Sequence, residues 1–189
     1  MSSVADRTVE GGLERLRRLL REEGGLIASL VPAREVCAAP DTAEMRASPA
    51  LVVAEGPRAS ANPEEYELLL EAIYEGYLLH YGLPRVVQVP EADLRLLAGD
   101  QLYAIGLARL VALGDTIAVA ELADTITLSA LAQGAGDEHL AEAVWAAGAR
   151  AVGWGPSELH ARAKQLVCSG DPQAIEAMRT SARTIPTPP

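Results

Sequence analysis

Three histidines and a few carboxylates are the side chains of this 189-residue chain that could bind a metal ion or move a proton. His80, His139 and His160 lie far apart in the sequence. Residues 137–139, Asp-Glu-His, form the one tight group of potential metal ligands. They follow a glycine-rich run, and three adjacent side chains rarely reach one ion. We therefore expect a solvated turn at 137–139, and we predict neither a catalytic residue nor a metal ligand.

Sequence motifs of known chemistry give no stronger signal. The chain has no P-loop, no GxGxxG, no GxSxG and no HExxH. An active enzyme with a different metal arrangement would need Asp93, Asp100 and Asp124 to converge. Asp100 is the best of these, because it lies at a helix start facing a possible cavity. Helix capping explains Asp100 more simply, and solvent is the favoured surrounding for Asp124.

Helices must position these candidates, because apolar residues recur at helical spacing through most of the chain. Asn62-Pro63 followed by two glutamates is a helix-start pattern in which Asn62 can act as the cap, and Gly82 with Pro84 is a helix end. Asp115 is expected to cap the helix that follows it. The predicted helices cover 12–31 with an end or bend at Gly24-Gly25, 48–55, 62–81, 92–113, 116–133, 139–153, 157–167 and a short last segment from 171.

The pattern excludes a sheet, since no Asn-Gly type turn separates alternating apolar runs. We therefore predict an all-α protein, a single-domain bundle of about seven or eight helices. The domain is expected over 13–179, between a flexible N-terminal tail at 1–12 and an extended proline-rich tail at 180–189.

The bulk composition narrows the classes of partner. Hydrophobic residues make up 49% of the chain, Phe is absent, and the formal net charge is −10. Such a charge opposes binding to nucleic acid and to anionic membrane surfaces. No apolar run approaches the roughly 20 residues of a membrane span, and the N-terminus lacks an apolar signal core. We expect a soluble, cytoplasmic protein in which Cys37 and Cys168 are buried free thiols.

Several short sequence elements occur in an order that helix formation alone does not require. They are Ser48-Pro49-Ala50-Leu51-Val52, Tyr77-Leu78-Leu79-His80, Leu97-Ala98-Gly99-Asp100, Gly114-Asp115 and Leu131-Ala132-Gln133-Gly134. In this order and spacing they resemble the trans-polyprenyl diphosphate synthase family over roughly 46–134, about half of the chain. The resemblance implies the all-α isoprenoid synthase fold.

The same resemblance shows where this chain departs from the family. Its enzymes end the helix that matches 62–81 with an aspartate-rich motif, whose magnesium ions neutralise the leaving diphosphate. This chain has His80, Tyr81 and Gly82 at that position, a degenerate metal motif. The family's diphosphate-binding Lys and Arg are reduced to Arg46 in the segment 42–46. The resemblance therefore implies that no cofactor binds this chain, and that magnesium acts only through a catalytic partner.

Within the family, heteromeric synthases pair a catalytic subunit with a small one that lacks the aspartate motifs, as in the heptaprenyl diphosphate synthase small component. The resemblance implies a non-catalytic subunit of this kind, which packs on its partner and helps to set product chain length. The candidate partner or chain-tunnel residues are Ala98, Gly99, Asp100, Tyr103, Ala104 and Leu107, with Gly106 and Ala108 as further small residues.

Two alternatives to this interpretation remain open. The helices over 96–134 could belong to an unrelated bundle that acts as an interaction or scaffold protein without isoprenoid chemistry. The small residues could equally serve packing within the chain. A homo-oligomer is possible in each case.

Overall fold

The computed structural model of this protein describes residues 11–33 and 48–184. Residues 1–10, Cys37, the segment 42–46 and residues 185–189 lie outside the described ranges, so the predictions made for them stay predictions. The described ranges form nine α-helices. These are α1 (Gly12–Glu23), α2 (Gly25–Ser29), α3 (Pro49–Ala54), α4 (Pro63–Tyr81), α5 (Ala92–Ala112), α6 (Thr116–Gly134), α7 (Glu138–Trp154), α8 (Glu158–Ser169) and α9 (Ala174–Arg183).

The all-α prediction is confirmed, with nine α-helices in the described ranges where about seven or eight were predicted. The predicted end at Gly24-Gly25 is confirmed as well, because Gly24 adopts a positive φ of 71° that ends α1. The prediction that Asn62 caps α4 is not supported, since its side chain makes no capping hydrogen bond. Cys168 is exposed, so the expectation of a buried thiol is wrong for it. Within 11–33 and 48–184, no helix is both long and apolar enough to cross a membrane.

Helix α4 lies at the centre of the bundle, and eleven of its nineteen residues are buried. Its apolar residues are distributed around the whole helix rather than along one stripe, which is typical of a helix covered on all sides. Helices α1, α3 and α5 pack directly on it. Its interior side chains include Leu69, Leu70 and Ile73, which are inaccessible to solvent.

Contacts at the two ends of α4 fix the directions of its neighbours. Near its start, the Tyr66 hydroxyl donates to Asp115 at the start of α6, at 2.7 Å. Near its end, Gln133 at the end of α6 donates to the Tyr77 hydroxyl, at 2.7 Å. Helix α6 therefore runs parallel to α4. Helix α5 runs the opposite way, since Arg109 near its end pairs with Glu65 near the start of α4.

The contacts at the start and at the end of α4 define two ends of the bundle, and we name each end after its characteristic side chains. The aromatic end holds Tyr77, Tyr81, Tyr103, Trp145 and Gln133. The arginine end holds Arg58, Glu65, Tyr66, Arg109 and Asp115.

Helix α7 closes the bundle against α3 and α6. Its backbone meets the turn after α3 so closely that a Cβ added to Gly56 would lie 2.2 Å from the Gly153 carbonyl oxygen. Arg58 Nε also donates to the Val152 carbonyl at 3.1 Å. Only glycine fits at position 56, and α7 is thereby fixed at the arginine end.

Helix α9 packs on both α7 and α8, and α8 also touches α6. The shared core there contains Leu128, Val144, Ala163, Val167 and Met178. Helix α9 continues to Arg183, so the predicted extended tail is wrong over 180–183. The reason is that Ala174, Met178 and Ser181 keep an i, i+4, i+7 buried face through that segment. At the other boundary, α1 starts at Gly12, one residue earlier than the predicted domain.

Candidate functional site

The predicted candidates meet where the end of α4 crosses the first half of α5. His80 Nε2 lies 3.2 Å from Asp100 Oδ1, a contact without the alignment of a hydrogen bond. The His80 ring stacks on the Tyr103 ring, with centroids 5.4 Å apart and planes 7° from parallel. Burial raises the pKa of the Tyr103 hydroxyl, which stays protonated at neutral pH. The residues predicted to stand at a degenerate metal motif and the helix predicted to line a chain tunnel therefore meet at one place.

Tyr81 and Gly82 complete the end of α4. The Gly82 N–H donates to the Leu78 carbonyl at 2.9 Å, which ends the helix. The Tyr81 ring lies 5.5 Å from the Tyr77 ring and remains 45% exposed. This end of α4 thus presents an aromatic surface to solvent.

A close approach of two glycines brings α4 and α5 together. A Cβ on Gly76 would lie 2.9 Å from the Gly99 carbonyl oxygen, and a Cβ on Gly99 would lie 2.6 Å from the His80 ring. Two turns further along α5, a Cβ on Gly106 would lie 2.3 Å from Ile73. These glycines serve packing within the chain, as one of the sequence interpretations held.

The small residues of α5 are divided between two opposite faces. Ala98, Gly99 and Gly106 are buried on the side that faces α4. Ala104 and Ala108 are exposed on the other side. Leu107 is half-buried against the main core, beside Tyr103. Only the exposed pair can therefore contact a partner without rearrangement of the bundle.

An aromatic cluster extends the site from α4 to α7. Trp145 packs against Tyr74 and Tyr77, with ring centroids 4.9 and 5.1 Å away. Burial is the main cause of the raised pKa of Tyr77, while the hydrogen bond from Gln133 acts in the opposite direction. Four of the five tyrosines lie in this cluster, which is buried at Tyr77 and Trp145 and reaches the surface at Tyr81.

The sequence analysis missed a buried carboxylate site beneath this surface. Glu75 is inaccessible to solvent, and its carboxylate accepts hydrogen bonds from the backbone N–H groups of Arg85, Val86 and Val87, at 2.6–3.0 Å. The Arg85 guanidinium donates to Glu71 at 2.6 Å. These bonds fix the loop 83–91 against α4, because a buried carboxylate is stable only with such donors.

A sequence signal for this site existed. Glu71 and Glu75 are four residues apart within an otherwise apolar helix, where unpaired acids would be costly. Arg85 is the first basic residue after them apart from His80. The pairing could have been predicted, but the three backbone donors depend on the path of a loop that periodicity does not specify.

Asp115 organises the arginine end. It caps α6 through the Ala118 N–H at 3.0 Å, as predicted, and it also binds Arg58 at 2.6 Å. Burial alone would raise the pKa of Asp115, but the hydrogen bonds from Ala118, Tyr66 and Arg58 together lower it. Burial and the hydrogen bond to Asp115 raise the pKa of Tyr66 to about 12.

A second unpredicted group joins α6, α8 and α9. His160 is buried between Ser181, with Nδ1 and Oγ 3.0 Å apart, and Glu121, whose Oε2 lies 3.1 Å from Nε2. Burial acts to raise the pKa of Glu121, but His160 and Lys164 outweigh it and lower that pKa. Ser181 is only 4% exposed, so the group is closed to substrate and holds the helices together.

The acids that a different metal arrangement would need do not converge on one place. Asp93 is exposed in the first turn of α5, and Asp124 accepts from Lys164 at 2.8 Å. Asp100 lies against His80 in the interior of α5, so the prediction that it caps a helix start is wrong. Asp137 caps α7 through the Leu140 N–H. In the part of the chain that the structure describes, no three His, Cys, Asp or Glu side chains are grouped to hold a metal ion.

What the site offers chemically is therefore binding by apolar surface. The outer face of α5, which we define as Leu97, Gln101, Ala104, Ala108 and Val111, lies opposite the face that packs on α4. Comparison with protein-family models, with curated proteins and with solved structures finds no match to this chain.

Proposed function

We propose that this chain is a non-catalytic subunit that binds a helical partner through the outer face of α5. On the family resemblance of residues 46–134, the partner is a catalytic trans-prenyl diphosphate synthase whose product chain length this subunit helps to set. Magnesium would enter the assembly only with that partner.

The observation that carries the proposal is the apolar character of the outer face. Leu97 is 63% exposed and Val111 is 61% exposed, two helical turns to either side of Ala104. Single exposed apolar residues are ordinary, but several along one helix face are typical of an interface, and here Gln101 is the one polar residue among the five. The alanines at its centre allow a partner helix to approach closely.

The charges on this helix support the same interpretation. Between residues 96 and 112 the charged side chains are Asp100 and Arg109. Arg109 pairs with Glu65 of α4 at 2.6 Å, and Asp100 lies beside His80 of α4. Neither belongs to the outer face, whose five residues carry no charge, and interface centres are depleted in charge.

The proposal is tested by affinity capture with the native cell extract, followed by mass spectrometry. The captured synthase is then assayed with magnesium, an allylic diphosphate and isopentenyl diphosphate, with and without this chain. We expect a synthase with both aspartate-rich motifs to be captured, and its product length to change. Product formed by the chain alone would contradict the non-catalytic assignment.

A matched pair of variants links the result to α5. Ala104→Arg places a charge at the centre of the outer face and should abolish capture. Ala161→Arg makes the same change at an exposed position of α8 and should leave capture intact. Capture of a partner without any effect on prenyl transfer would favour the alternative function, a helical interaction or scaffold protein.

A further inference from the structure

A second exposed apolar surface lies at the aromatic end. Ten large apolar side chains are exposed in the described ranges, and four of them surround this end. We define the aromatic-end surface as Tyr81, Leu83, Leu96 and Leu131. Leu83 is 87% exposed and Leu131 is 51% exposed. A cluster of this kind needs an explanation that a single exposed leucine does not.

Contacts on the neighbouring residues bring these four side chains to one end. The Gly82 carbonyl, next to Leu83, accepts from Arg95, next to Leu96, at 3.0 Å. Leu131 lies in the last turn of α6, the helix end that reaches this end of the bundle through the hydrogen bond from Gln133 to the Tyr77 hydroxyl. The Tyr77 ring in turn touches the Tyr81 ring. The surface therefore spans the ends of α4 and α6 and the beginning of α5.

Carboxylates form the rim of this surface. Asp100 and Glu142 have side chains that are 67% and 75% exposed. Glu142 and Glu138 both lie near enough to Tyr77 to add to the rise of its pKa that burial causes. The imidazole of His139, 3.6 Å from Glu142, is exposed as well. The rim is therefore acidic and in contact with solvent.

The two described arginines at this end do not neutralise the rim. Arg85 is held inward by Glu71 and Glu75. Arg95 donates to the Gly82 carbonyl, a neutral group, and so keeps its positive charge. The three carboxylates of Asp100, Glu138 and Glu142 outnumber this one cation, so the charge at the aromatic end is negative on balance, as it is for the whole chain at −10.

We propose that the aromatic-end surface binds a segment of a partner protein that carries apolar side chains flanked by lysine or arginine. The apolar side chains would cover the surface, and the cations would face the acidic rim, which provides electrostatic complementarity. The inference rests on the proposed function, because it specifies the chemistry of the partner, but it uses a surface separate from the outer face of α5.

The test uses the full chain and a synthetic 15-residue amphipathic peptide with a leucine face and lysine flanks, measured by fluorescence anisotropy. A second peptide carries glutamate in place of lysine. We expect the lysine peptide to bind and the glutamate peptide not to bind. Absence of binding by the lysine peptide would overturn the inference.

Variants separate this surface from general attraction to an acidic protein. The double change Glu138→Lys and Glu142→Lys should weaken peptide binding by about tenfold or more, since like charges across an interface are costly. Glu22→Lys with Glu55→Lys makes the same change in net charge at exposed positions away from this end, and should leave the affinity unchanged. Equal weakening by both pairs would overturn the inference. Leu131→Ser should weaken binding without a change in charge.

The outcomes for the two proposals are distinguishable. Peptide binding that survives Ala104→Arg while partner capture is lost supports two separate surfaces. Partner capture without peptide binding would leave the proposed function standing and overturn this inference. Peptide binding without capture of any synthase would support this inference and overturn the proposed function.

Discussion

The carboxylates at the two ends of the central bundle differ in their partners and in their exposure to solvent. At the arginine end, Asp115 pairs with Arg58 and Glu65 pairs with Arg109. At the aromatic end, Arg85 pairs with the buried acids Glu71 and Glu75. The carboxylates on the outside of that end face solvent beside apolar side chains. The comparison suggests that the arginine end serves the fold, whereas the aromatic end combines a stabilising interior with a surface free for a partner.

The largest expected effect is at the interior of the aromatic end. Glu75→Gln replaces an acceptor oxygen with an amide that faces the donors of Arg85, while it keeps the size of the side chain. We expect a loss of about 3–5 kcal/mol in the free energy of unfolding, since one member of a buried charged group is removed. Urea denaturation followed by circular dichroism measures it.

The control for Glu75 is an acid on the outside of the same end. Glu142→Gln changes an exposed side chain and should alter stability by no more than about 0.5 kcal/mol. Comparable losses in the two variants would show that the contrast between interior and rim is wrong.

The next effect is at the arginine end. Asp115→Ala removes the cap of α6 and leaves Arg58 and Tyr66 without their acceptor. We expect a loss of about 2 kcal/mol, at the upper end of the range for capping residues. Asp137→Ala removes a cap that has no such additional partners and should cost about 1 kcal/mol. Thermal or urea unfolding of both variants tests the difference.

The pH dependence of stability provides a separate test of Asp115. Its pKa is lowered in the folded chain, so between the folded and unfolded pKa values the unfolded chain binds more protons on this carboxyl. The stabilisation is complete above the ordinary aspartate pKa of about 4 and is lost as the pH falls below it. Asp115→Asn keeps a capping residue but should flatten this loss. Unfolding curves at a series of acidic pH values show whether it does.

A smaller effect is expected from the contact between α4 and α5. Gly99→Ala places a methyl group against the His80 ring and the Gly76 carbonyl, which should cost about 1 kcal/mol, at the lower end of the range for overpacking. Gly134→Ala, in α6 near the same end, meets nothing within 4 Å and should instead stabilise by about 0.5–1 kcal/mol. Opposite signs for two identical substitutions would establish that close packing, and not helix propensity, places glycine at 99.

Much of the fold could be predicted from local patterns. Apolar spacing located the long helices, and Asp115 was recognised as a cap because that role depends on residues next to it in sequence. The end of α9 was missed, because the burial of Ser181 depends on His160 in another helix. The division of the small residues of α5 into two faces was also missed, since it depends on which face α4 occupies.

The candidate site shows the same limit. The sequence indicated His80, Asp100 and Tyr103 separately, and the structure brings them together. Nothing in the sequence indicated that Trp145 belongs to the same cluster, because the direction of α7 is fixed by the distant contact between Gly56 and Gly153. Long-range packing of this kind leaves no local periodic signal.

The smallest expected effect distinguishes an open rim from a closed one. Because the Asp100 side chain is largely exposed, its contact with His80 should contribute less than about 1 kcal/mol to stability. A double-mutant cycle with His80→Gln and Asp100→Asn measures this coupling directly. A coupling energy as large as the loss expected for Glu75→Gln, about 3 kcal/mol or more, would mean that Asp100 belongs to the folded interior and not to a rim that can meet a partner. A small coupling leaves its carboxylate available to a cation, and then Asp100→Asn should weaken binding of the lysine peptide while stability is nearly unchanged.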